Sequence, residues 1–182
     1  MAPKQQKEKS LGIPEILASV AITAAAFFVS GYLPLLEGWS YAGAFLVGLV
    51  SSATLFLPAP GWAIIAAFGR TLDPITLGIF AGIGSGIGEL TGFLLGRGGS
   101  GFLEHRLLGN GFAKRQIDFV KSHSEVAVFL LALVPNPLFD IAGIAAGAIK
   151  MPWWKFLAAT ILGKIIKFAI LAYLGKLSTA LV

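Results

Sequence analysis

The chain has 182 residues, of which 56% are hydrophobic and 13% charged, with a formal net charge of +5 and a mean hydropathy of +0.82. That balance excludes an ordinary soluble domain and leaves an integral membrane protein of one domain, because about 20 apolar residues are enough to span a bilayer. The basic residues are dispersed along the chain and cysteine is absent, so anionic headgroups rather than nucleic acid are the expected partner, and disulfide and thiolate chemistry are excluded.

In chain order, a polar tail over 1–13 leads into an apolar stretch over 14–36, too long for a signal-peptide core and read as a first crossing. A second stretch over 41–57 completes two N-terminal transmembrane helices within 14–57. The next unit, 58–97, holds a short apolar piece that opens on Pro58 and Pro60, followed by a spanning piece over 75–96. Over 98–124 the composition changes: Phe102, Leu107, Phe112 and Phe119 stand among Arg106, Lys114, Arg115 and Lys121. That pattern suits short amphipathic helices on the membrane surface, interrupted at Gly109 to Gly111. His105 and His123 fall in this polar segment without metal-ligand spacing. A second unit, 125–176, is broken at Pro135 and Pro137, continues into an apolar piece over 153–175, and is followed by the tail 177–182. Trp39 with Tyr41, and Trp153 with Trp154, stand where an aromatic belt marks the ends of crossings.

The two units repeat. Pro58 to Gly69 is 11 residues and Pro135 to Gly147 is 12; Pro58 to Pro74 is 16 and Pro135 to Pro152 is 17; Pro74 to Gly96 is 22 and Pro152 to Gly175 is 23. Each Pro-x-Pro pair removes amide hydrogens and breaks a helix, and broken backbone at membrane depth survives only where protein or a wet cavity supplies partners. The expected architecture is therefore an all-α polytopic membrane protein built as an inverted repeat. Each half is a re-entrant hairpin plus a transmembrane helix, and the amphipathic interfacial segment joins them. The tips, Pro58 and Pro60 in one half and Pro135, Asn136 and Pro137 in the other, would meet at the midplane.

Within the first spanning piece, glycines at 84, 88, 92 and 96 form one i, i+4 ridge and those at 78, 82 and 86 a neighbouring one. Such ridges let helices approach closely, within one chain or between copies in a homo-oligomer. Glu89, Lys164 and Lys167 interrupt apolar helices, and each ionised group costs about 2.5–3.5 kcal/mol at the bilayer centre, so each needs a partner or a wet cavity. Glu89 lies 15 residues after Pro74 and Lys167 lies 15 after Pro152, so they occupy equivalent positions. In antiparallel helices Lys164 comes nearer to the depth of Glu89, which makes it the expected partner and leaves Lys167 to Asp140 or a lipid phosphate. Asp140 either caps the returning half-helix or binds a cation. Arg70 and Asp73 flank the turn before Pro74, where an ion pair is expected.

The paired broken segments, the block "GELTGFLLGRGG" and the run "ALVPNPLFDIAGIAAGAIKMPWWKFLAATILGKIIKF" resemble the VTT-domain proteins, the DedA-like or SNARE-associated Golgi-protein superfamily, over about residues 50 to 176. The resemblance implies a lipid transporter of phospholipid or polyprenyl-phosphate type, a flippase or scramblase, in the plasma membrane of a prokaryote. Glu89 and Arg97 match the family's acidic position and the Gly-Arg end of its helix, whereas the first tip "PAPGWA" carries no acid. Three readings follow: lipid transport through a polar groove handled by Lys164 and Lys167, a proton- or cation-coupled carrier of a small solute using Glu89 and Asp140, or a non-transporting scaffold. Enzymatic catalysis has no support, since no nucleophile motif, metal spacing or phosphate loop is present and no cofactor is implied.

Overall fold

A computed structural model describes residues 40–53, 61–99, 111–134 and 139–179, with isolated positions 13, 14, 16, 17 and 21. Seven helices order these residues: α1 Ser40–Ala53, α2 Gly61–Phe68, α3 Pro74–Gly88, α4 Leu90–Gly98, α5 Gly111–Leu133, α6 Phe139–Ala148 and α7 Trp153–Thr179. No strand occurs among the described residues. In lipid a helix is the economical choice, because it satisfies its own backbone. The expected crossing at 14–36 lies outside the described residues apart from those isolated positions, as do Pro58, Pro60, Pro135, Asn136 and Pro137.

Among the described residues, two helices are long and apolar enough to cross a membrane. One is the α3–α4 run, Pro74–Gly98, of 25 residues, and the other is Trp153–Ser178 within α7, of 26 residues. At Glu89 the first run is interrupted only in name, since Glu89 keeps right-handed helical torsions and the bonds Glu89 N to Ser85 O and Phe93 N to Glu89 O carry the ladder through. Its start is fixed by Asp73, whose carboxylate accepts from the amide and the hydroxyl of Thr76 at 2.8 Å each, and by Pro74, whose ring suits a first helical position. The ion pair expected between Arg70 and Asp73 is not formed among the described residues. Asp73 is engaged as the helix cap instead, a local contact that needs no long side chain to be ordered. α6 ends at Lys150 in the left-handed region, φ 57°, where Met151 N reaches back to Ala146 O at 3.1 Å and closes the helix as a Schellman-type stop.

The glycine ridges set the packing. A Cβ on Gly78, Gly82 or Gly86 would collide with Ala169, Ile165 or Ile161 in turn, so residue numbers rise along α3 as they fall along α7 and the two helices are antiparallel. On the other ridge, Gly84 faces Phe45 and Gly88 faces Leu49 and Ala53, so α1 runs parallel to α3. The same holds in the second half, where Glu125 pairs with Lys155 and Ala132 and Leu133 meet Gly163. The glycines thus serve packing within one chain.

Contacts between the halves are reciprocal. Gly69 sits against Ala172 and Gly175 against Ala66, while Gly147 sits against Phe93 and Gly96 against Ile144. Each returning helix, α2 or α6, therefore packs on the far end of the other half's long helix. Two cores result, one around Val47, Ile65 and Leu77 that admits Phe168 and Ala172, the other around Val120, Val128 and Phe156 that admits Phe93.

Of the helix expected over 41–57, the part up to Ala53 is described, as α1, and residues 54–57 lie outside the described residues. The amphipathic segment differs from its expected form. From Gly111 it continues into α5, bent at Ser124 (φ 40°, ψ −107°), and its apolar side chains Ile117 and Val120 are buried in the chain's own core.

Candidate functional site

Among the described residues, one ion pair is buried. Lys164 Nζ donates to Glu89 Oε1 at 2.6 Å, with side chains 5% and 3% exposed. Glu89 reaches this place because it ends the glycine-rich stretch of α3, where the absence of side chains brings α7 within arm's length. Lys164 lies three residues beyond Ile161, the contact of Gly86, and its four-carbon stem covers the remaining gap. Lipid could not compensate either charge; the partner does so at hydrogen-bond distance, and a charge-assisted bond is the stronger kind.

Polar groups extend from the pair along both helices. One turn before Glu89, the buried Ser85 hydroxyl is hydrogen-bonded to that of Ser52 on α1. One turn before Lys164, the buried hydroxyl Oγ1 of Thr160 finds no hydrogen-bond partner among the described residues. Thr91 satisfies its hydroxyl on Gly88 O at 3.0 Å. This line of serines and threonines was not singled out from sequence, although its one-turn spacing from each charge was readable there.

The depth of the pair is set by the register. Gly88, beside Glu89, meets the amide nitrogen of Ala53, the last residue of α1, and Gly163, beside Lys164, meets that of Leu133, the last residue of α5. Counting about 1.5 Å per residue, Gly88 lies about 21 Å from the start of α3 and Gly163 about 15 Å from the start of α7. In the antiparallel register set by Gly82 against Ile165 and Gly86 against Ile161, the two levels fall about 6 Å apart, on either side of the middle of the paired helices. Ala53 of α1 and Leu133 of α5 therefore both lie beside the ion pair, on helices that run in from opposite ends of the bundle.

The other expected site residues are more scattered. Lys167 is half-buried on α7 and its ammonium stands 4.9 Å from the ring centre of Phe168. Arg97 is exposed at the end of α4, its guanidinium 6.0 Å from the Phe93 ring, which in turn stacks on Phe156 at 4.8 Å. Asp140 falls in the first turn of α6, but its side chain lies outside the described residues, and so does any approach of Lys167 to it. A second ion pair, missed from sequence because it joins positions 30 residues apart on different helices, links Lys155 Nζ to Glu125 Oε1 at 2.6 Å. That hydrogen bond holds the Glu125 carboxyl below its ordinary range. No group of metal-ligating side chains occurs among the described residues.

Comparison with known proteins places this geometry in a family. Residues 59–177 match the family model of the VTT domain. The chain is 36% identical over 103 residues to Vacuole membrane protein KMS2 of Arabidopsis thaliana, an alignment covering 48% of this chain and 25% of that protein. It is 35% identical over 104 residues to Vacuole membrane protein 1 of Bos taurus, covering 47% and 26%, and 51% identical over 37 residues to the Vacuole membrane protein 1 homolog of Dictyostelium discoideum, covering 20% and 9%. The alignments span about a quarter of the length of the first two relatives. No solved structure matches. The names of these relatives support an integral membrane protein. They give no support to the plasma membrane of a prokaryote, since they refer to a vacuole membrane and come from eukaryotes.

Proposed function

The chain belongs to the VTT domain family, and from that premise we propose that it moves lipid between leaflets as a flippase or scramblase, in a eukaryotic organelle membrane like those its relatives' names refer to. The observation that carries the reading is the buried Glu89–Lys164 pair lying beside Ala53 of α1 and Leu133 of α5, whose helices run in from opposite ends. Two re-entrant hairpins that stop at half depth leave carbonyls and amides to be satisfied at the midplane, and a hydrated polar zone there lowers the barrier to a phosphate headgroup. The reciprocal glycine contacts between the halves support an inverted repeat. Lys164 is the cation best placed to hold a passing phosphate, exchanging Glu89 for it.

The test is reconstitution into liposomes containing a tail-labelled or head-labelled fluorescent phospholipid, with an impermeant reductant added outside. Bleaching that proceeds into the inner-leaflet pool, in vesicles that retain an encapsulated dye, supports lipid transport. Protection of the inner leaflet across phospholipid and polyprenyl-phosphate probes contradicts it, and a proton flux that depends on Glu89 under those conditions would favour the coupled small-solute carrier.

A further inference from the structure

A second set of charges on α7 faces α5. Between these helices runs an open groove of about 400 Å³ whose walls include Val126, Phe129, Trp154, Ala158 and Leu162, with the Glu125–Lys155 pair at one end. Val126, Trp154 and Leu162 are exposed large apolar side chains, so the groove opens outward toward lipid. From Trp154 to Leu162 it runs about 12 Å along α7, close to the roughly 15 Å hydrocarbon depth of one leaflet. Its deep end, Leu162, is two residues from Lys164 of the buried pair. The groove therefore joins the interface, marked by Trp153 and Trp154 at the start of a crossing helix, to the level of the midplane charges.

The headgroup end carries both signs. Glu125 and Lys155 are 42% and 39% exposed, and their contact uses one carboxylate oxygen and one ammonium donor, leaving further acceptor and donor capacity toward water. We propose that this groove seats one acyl chain of a zwitterionic, amine-bearing phospholipid, with its phosphate on Lys155, its ammonium on Glu125 and its chain over Ala158. The inference rests on the lipid-transport reading, whose substrate class and entry point it names. A purely anionic headgroup would compete with the Glu125 carboxylate for Lys155 and bring no ammonium of its own to answer that carboxylate. The net charge of +5 draws anionic lipid to the protein at large, so a preference for the zwitterion at this groove would be a local effect of these two side chains.

The experiment uses the full chain with Trp39, Trp62 and Trp153 replaced by Phe, so that Trp154 alone fluoresces, in vesicles of mixed phosphatidylethanolamine and phosphatidylglycerol. Brominated chains are placed on one lipid and then on the other at the same mole fraction. Brominated phosphatidylethanolamine is expected to quench Trp154 roughly threefold more strongly, a ratio within reach of exposed charge contacts. Glu125→Gln should remove the preference, and Ala158→Leu, which fills the groove, should reduce quenching by both lipids. Lipids retained by the unmodified chain in mild detergent, identified by mass spectrometry, give a second readout that needs no tryptophan replacement. Equal quenching by the two lipids, or stronger quenching by phosphatidylglycerol, overturns the proposal even if lipid transport proceeds. Preferential quenching without transport supports the groove and contradicts the transport reading.

Discussion

Removing one member of the Glu89–Lys164 pair takes from the other its charge-assisted bond in a buried place, which costs about 3–5 kcal/mol in buried pairs. Glu89→Leu and Lys164→Leu are each expected to lower the thermal unfolding midpoint in detergent and to abolish lipid transfer. The double change Glu89→Leu with Lys164→Leu should recover most of the stability, because a buried pair replaced by apolar groups is often neutral. Transport should stay lost if the charges handle headgroups, whereas a double variant that transports normally would reduce the pair to a fastener. Reversal of both charges together should restore the transfer lost in each single reversal, and failure to do so would refute the pairing as a functional unit. Asp73 gives a separate residue-level test outside the membrane. The backbone and side-chain hydrogen bonds of Thr76 hold its carboxyl below the ordinary 3.8. Its stabilising contribution is thus present above that pH and fades as pH falls through the lowered value. Asp73→Ala should destabilise the protein at pH 7 and make less difference at pH 3; an equal loss at both would show that the ionised cap is not the source.

Among the elements, the α3–α7 contact offers the sharpest expectation. Gly→Ala in an exposed helix stabilises by about 1 kcal/mol, but here the sign should invert, because a methyl on Gly82 meets the backbone of Ile165 at about 2.6 Å. Gly82→Ala should cost about 1–3 kcal/mol, the usual range for overpacking, read as a lower midpoint of denaturant or thermal unfolding; a rise would mean the helices are farther apart. The ridges and the Glu89–Lys164 pairing were legible in sequence because both follow from helical periodicity and antiparallel counting. The Arg70–Asp73 pair was misjudged because a local cap competed for the carboxylate. Glu125 with Lys155 escaped notice because its two members belong to different elements whose relative placement depends on the bend at Ser124.

At the scale of the whole molecule, the two halves exchange their returning helices: α2 completes the core that contains the end of α7, and α6 completes the core that contains the end of α4. Such an arrangement makes neither half stable by itself, so loosening one inter-half contact should weaken both cores together. Gly96→Val, which drives a branched side chain into the backbone of Ile144, is expected to increase hydrogen exchange in α2 as well as in α6; exchange confined to α6 would argue for independent halves. The repeat that foreshadows this exchange lay in the matched proline and glycine intervals, while the reciprocal contacts themselves needed three dimensions.

The central claim, that both proline-bearing segments stop at half depth around a wet polar centre, can be read from nitroxide depth in lipid nanodiscs. The cysteine-free chain accepts single labels at Ala59, Asn136, Arg70 and Lys150 without prior removal of native thiols. The account expects Ala59 and Asn136 near the bilayer midplane and open to a water-soluble relaxant, with Arg70 and Lys150 at opposite headgroup levels. Labels at 59 and 136 that both sit at headgroup level, or that respond to oxygen alone, would contradict it.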